Sequence, residues 1–102
     1  MSSEYNGKIV EIAEHYGAYP QSIQAVEEMA ELTQALTKFW RYKGTDADEI
    51  NRLKEHIFES LADVKIMLDQ IAYLYIADEH VNEAIRHKID KQINKIRAEK
   101  GR

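Results

Sequence analysis

The 102-residue chain has no cysteine. That excludes disulfides, zinc–thiolate sites and thiol nucleophiles together, and it fits a reducing compartment. One proline and four glycines are too few for a loop-rich or repetitive fold. No apolar run approaches the roughly 20 residues that a membrane span requires. The first residues lack the apolar stretch of a secretion signal, so a cytoplasmic location is expected. What remains is rich in Ala, Glu, Lys, Ile and Leu, which favours helix throughout. The length allows one domain over residues 1–102, with a core small enough that a subunit partner would strengthen it.

Charge is distributed unevenly. Residues 86–102 carry seven bases (Arg86, Lys88, Lys91, Lys95, Arg97, Lys100 and Arg102) against two acids, Asp90 and Glu99. Residues 1–85 carry 16 acids against seven bases. An acidic body argues against nucleic acid as the main partner. The basic tail fits a solvated last helix whose cations favour its C-terminal end, and it leaves room for a phosphate-bearing ligand.

Apolar spacing predicts four helices. The first, over about residues 3–16, carries Ile9, Ile12, Ala13 and Tyr16 on one side, and Gly17 stops it. Pro20 suits the opening turn of the second, where a missing N–H costs nothing. The second runs to about Tyr42 with Ile23, Val26, Met29, Ala30, Thr33, Leu36 and Trp40 as its apolar stripe, and Gly44 ends it. Asp46 is placed to cap the third, with Glu49 three residues on to reach back. No breaker follows until 76–79, so the third helix spans about 45 Å. Its stripe of Ile50, Leu53, Ile57, Leu61, Val64, Leu68, Ile71 and Tyr75 needs another long helix or a second subunit. Asp78 is placed to cap a fourth helix bearing Val81, Ile85, Ile89, Ile93 and Ile96. The expected fold is an all-α bundle of about four helices, assembled as an oligomer.

Acidic residues sit at spacings that matter. Glu28 and Glu31 project from one side of the second helix, and Glu59 and Asp63 share a side of the third. On helical wheels Glu28 borders its apolar arc and Glu31 lies slightly further round. Asp63 lies at the edge of its arc and Glu59 further out. Two antiparallel neighbours would bring these groups together. Packed carboxylates repel one another, and a hard cation such as Mg²⁺ reverses that. A solvated acidic face is the ordinary alternative for any one of them.

The runs Glu27-Glu28-Met29-Ala30-Glu31-Leu32 and Glu59-Ser60-Leu61-Ala62-Asp63-Val64, continued by Lys65-Ile66-Met67-Leu68-Asp69-Gln70, resemble the all-α nucleoside triphosphate pyrophosphohydrolases. These are the MazG-like enzymes and their dimeric dUTPase relatives. The likeness covers roughly residues 8–98. It implies Glu-Glu-x-x-Glu on one helix and Glu-x-x-Asp on the next. It also implies Mg²⁺, replaceable by Mn²⁺, and hydrolysis of a nucleoside triphosphate to monophosphate and pyrophosphate by a homodimer or homotetramer. By position, Glu28 and Glu31 match the first ligand pair and Asp63 the last ligand. Glu27 matches the leading Glu, which acts as a base or polarises water, and Glu27 or Glu31 is the candidate to accept the water's proton. Where the pattern has a second-helix Glu, this chain has Ser60. Three readings stay open there: water fills the gap, Glu59 substitutes, or metal binding is weakened and activity impaired. His56, one turn earlier, is a poor partner for Mg²⁺. Lys88 and Lys91, or Arg41 and Lys43, are candidates for the phosphates. Trp40 and Tyr42 are candidates for stacking on a base, or core residues. His15, His80 and His87 have no recognisable partner. The competing reading is a non-catalytic helical oligomerisation or adaptor protein with a degenerate nucleotide site.

Overall fold

A computed structural model describes residues 5–101. The expected helix start at Ser3 and the last base, Arg102, lie outside them. Among the described residues the chain is all-helical, with no strand. Its helices are α1 (Asn6–Tyr16), α2 (Ala18–Arg41), α3 (Ala47–Leu74) and α4 (Asp78–Lys100). None is long and apolar enough to cross a membrane.

The boundaries follow local chemistry. Gly17 takes φ +89°, where an L side chain is strained, and its N–H closes on Ala13 O at 2.8 Å. One residue thus ends α1 and redirects the chain into α2, with Pro20 in the first turn. α2 ends at Arg41 because Tyr42 turns extended. Gly44 lies in the loop beyond, close against the Tyr42 ring, which a Cβ there would displace. Asp46 caps α3 by accepting from the Asp48 N–H at 3.0 Å. Glu49 does not reach back to close the cap. Its carboxylate takes the Arg52 guanidinium instead, with Arg52 Nε donating at 2.9 Å, because a charge-assisted bond one turn away outcompetes a neutral backbone donor.

α3 runs its full 28 residues. At its end Ile76, a β-branched residue, stands at φ +52° and 90% exposed. The Ala77 N–H reaches back to Ala72 O at 2.8 Å. Asp78 is not the cap of α4. Ala77 holds that position without a side-chain bond, and Asp78 and Glu79 lie inside the first turn. Their charges still favour that end of the helix dipole.

α2 and α3 pack antiparallel over most of their length, with α1 against α3 and in lighter contact with α2. The packed seam of α2 is Gln21, Ala25, Glu28, Leu32, Ala35 and Phe39, all buried or half-buried. On α3 it is Leu53, Ile57, Ser60, Val64, Met67, Ile71 and Leu74. Both step by three and four residues, as in coiled-coil packing, and Ala25, Ala35 and Ser60 let the backbones approach.

The apolar stripe expected for α2 is therefore not the face that packs on α3. Ile23, Val26, Met29, Leu36 and Trp40 are exposed, from 41% for Leu36 to 74% for Trp40. The helix has two apolar sides, and the one with small residues faces α3. α1 contributes Ile9 and Ala13 to the core. α4 closely approaches only α3 and buries no residue. The radius of gyration is 17.5 Å, against about 13 Å for a compact domain of 100 residues.

Candidate metal centre

Two rungs of the α2–α3 seam fix the site. In the first, Gln21 Nε2 donates to Gln70 Oε1 at 2.7 Å, buried between the helices. Seven residues further along α2 and seven back along α3, two turns on each helix, come Glu28 and Asp63. Glu31 joins them one turn later on α2. Each of Glu28, Glu31 and Asp63 offers a carboxylate oxygen within 4.8 Å of the other two.

The three groups are not equivalent. Glu28 occupies the seam and is half-buried, while Glu31 and Asp63 are exposed. Glu28 Oε1 accepts from Gln24 Nε2 at 2.8 Å. Its Oε2 is out of contact with solvent and has no donor among the described residues. Burial pushes the Glu28 carboxyl above the ordinary carboxylate range, and the charges of Asp63 and Glu31 push it further, while the bond from Gln24 pulls it down. The arrangement is one half-buried carboxylate with an unanswered oxygen, flanked by two at the solvent edge. A small hard cation would relieve the repulsion among the three, as would a proton held by Glu28 in a hydrogen bond to Asp63.

The sign of the pH dependence follows. Between the ordinary carboxylate range and Glu28's raised value, the folded chain holds more proton than the unfolded one. Stability from this group is therefore full below that window and falls as pH rises through it. In chelator, Glu28→Gln is expected to flatten this loss and to raise the melting temperature at neutral pH. The same variant should abolish any response to Mg²⁺. A melting series across acid to neutral pH, with and without chelator, checks both.

Other expected site residues are placed differently. Glu59 is exposed and lies outside the carboxylate group, as does Glu27. Ser60 is buried, 3% exposed, within the seam. His56 is half-buried and outside the group. Lys88 and Lys91 are exposed on α4, which makes no close approach to α2. Arg41 lies ten residues beyond Glu31, about 15 Å along the helix. Trp40 is at the surface, edge-on to Phe39, so it is not a core residue. Gln24 was not legible as a site residue, although its four-residue spacing from Glu28 is the signal that finds it.

Away from the centre, Tyr73 Oη donates to Glu14 at 3.0 Å, tying α1 to α3. That bond is the main reason the phenol is held above its ordinary pKa. The chain matches no protein-family model, no curated protein and no solved structure.

Proposed function

We propose that Glu28, Glu31 and Asp63 bind one Mg²⁺, with Mn²⁺ able to replace it, and that the chain hydrolyses a nucleoside triphosphate to monophosphate and pyrophosphate. The observation that carries this is the convergence of three carboxylates from two helices, one of them half-buried with an oxygen that has no donor among the described residues. The resemblance of both acidic runs to the MazG-like pyrophosphohydrolases supplies the reaction.

The bound cation would neutralise phosphate charge and lower the pKa of a coordinated water. Glu28 would anchor it from inside the seam, and Glu31 and Asp63 would close on it from the solvent side. Mg²⁺ keeps several waters, so three carboxylates leave positions for the triphosphate. Glu31, or Glu27 one residue before Glu28, would take the proton of the attacking water. Attack at the α-phosphorus breaks its bond to the bridging oxygen, and pyrophosphate leaves. With Glu59 outside the group and Ser60 in the seam, water would stand in for the second-helix carboxylate.

The adaptor reading draws on a different observation: α4 and the outer face of α2 leave large apolar residues exposed. One assay pair separates them. Saturating Mg²⁺ at about 100 times its Kd contributes about 2.7 kcal/mol, which raises the melting temperature of a chain this size by about 11–22 °C. A screen of nucleoside triphosphates with Mg²⁺ is expected to release pyrophosphate. Glu31→Ala should lose both responses. Flat melting in the parent and in Glu31→Ala removes the metal centre and leaves the adaptor.

A further inference from the structure

α4 has an apolar face with little to cover it. Val81, Ile85, Ile89, Ile93 and Ile96 are between 39% and 55% exposed, and no residue of the 23-residue helix is buried. Val81 and Ile85 line one wall of a groove of about 800 Å³, whose other walls are α1 and α3 and include Ile12, Ile66 and Leu68. The rest of the stripe, Ile89, Ile93 and Ile96, lies outside it. Helical propensity does not stabilise such a segment in water, because β-branched residues gain their place in helices by packing.

We infer that a second copy of this chain covers this face, the two α4 helices crossing antiparallel at Ile89. The inference does not depend on the metal centre. Three observations select this occupant. The stripe is centred on Ile89, with Ile85 and Ile93 four residues to either side, and Val81 and Ile96 beyond them. A two-fold axis at Ile89 therefore sets Ile85 against Ile93 of the second copy and the reverse, the self-complementarity that a closed dimer needs.

Charge selects the direction. The start of α4 holds Asp78, Glu79 and Glu83 with no Lys or Arg, and from Arg86 onward Arg86, Lys88, Lys91, Lys95, Arg97 and Lys100 outnumber Asp90 and Glu99. Antiparallel pairing lays the acidic start of each helix on the basic end of the other, whereas parallel pairing sets like on like. Area completes the argument. A stable interface buries about 800 Å² per partner, and the apolar surface on offer extends beyond α4 itself. With the crossing at Ile89, Ile93 and Ile96 of the second copy come level with Ile85 and Val81, at the groove, where the exposed Ile12, Ile66 and Leu68 add to the contact.

The cysteine-free chain makes the register testable. At micromolar concentration the parent is expected to sediment as a dimer, or as a tetramer that Ile89→Glu halves. Ile89→Glu should weaken self-association by more than about tenfold. Its α1–α3 core should persist, since α4 buries nothing within the chain. On oxidation, Ile89→Cys is expected to give a disulfide-linked dimer, because only the residue on the two-fold axis meets itself. Ile96→Cys should remain largely unlinked. A monomeric parent overturns the inference, as does a monomer retained on vesicles of anionic lipid. Dimers that survive Ile89→Glu, or equal cross-linking through Ile96→Cys, also overturn it. The cross-linking comparison decides the matter if the Glu variant fails to fold.

Discussion

Replacing Ser60 with Glu is expected to lower the melting temperature of the metal-free chain by more than about 10 °C, and Mg²⁺ should reverse most of the loss. Ser60 is 3% exposed. The α2–α3 rungs that pair Gln21 with Gln70 and bring Glu28 to Asp63 place Ser60 level with Glu31, three residues further along each helix. A carboxylate at this position enters the packed seam beside Glu28 and Glu31. An uncompensated buried charge costs about 3 kcal/mol or more, and each kcal/mol moves the melting temperature of such a chain by about 4–8 °C. With Mg²⁺ present, the same carboxylate would supply the second-helix ligand that the family resemblance implies. The metal-induced rise in melting temperature should then exceed the parent's, and pyrophosphate release should increase. Melting curves in chelator and in Mg²⁺, beside a pyrophosphate assay, check both. A variant that is destabilised equally in the two conditions would mean that position 60 does not face the ion.

The second large effect concerns the buried amide pair. Gln70 is 1% exposed and Gln21 7%. Gln70 accepts from Gln21 and donates to Met67 Sδ at 3.7 Å. Gln70→Ala leaves the Gln21 amide without its acceptor and opens a void between the helices. The stranded donor alone costs about 1–3 kcal/mol, and the void adds to it. Gln21→Leu with Gln70→Leu removes both polar groups and keeps the volume, so the double variant should be more stable than Gln70→Ala. Chemical denaturation of the single and double variants measures the difference. Equal stability of Gln70→Ala and the parent would show that the rung contributes nothing to α2–α3 packing.

Much of the fold is legible in the sequence because its signals are local. Gly17, Pro20 and Asp46 act through their own backbone geometry or a bond to a near neighbour, and the unbroken run to Leu74 needs only the absence of breakers. The face of α2 that packs is not legible from hydrophobicity. Ile23, Val26, Met29, Leu36 and Trp40 form the greasier side, yet α3 takes the side with Gln21, Ala25, Glu28 and Ala35. Close backbone approach decides the matter, and that depends on small residues meeting across helices. Glu49 and Asp78 show the same limit at smaller scale. Each suits a cap by spacing, but Arg52 takes the first and the chain enters α4 one residue earlier than the second requires.

The candidate centre divides along the same line. That Glu28 and Glu31 share a side of α2 is readable from their spacing, whereas spacing couples Asp63 to Glu59 and it is the family resemblance that singles Asp63 out. The exclusion of Glu59 and the burial of Ser60 are not readable, since they depend on the rotation of α3 against α2. Gln24 carries no signal of its own as a site residue, being a polar residue on a long helix. Its importance comes from Glu28, whose other oxygen has no donor among the described residues.

The lack of any buried residue in α4 sets the order in which a lone chain comes apart. Backbone bonds of that helix can open without disturbing the interlocked trio of α1, α2 and α3. In the isolated chain, opening of that helix is then expected to precede the cooperative loss of the α1–α3 core, whose melting the variants at Glu28, Ser60 and Gln70 report.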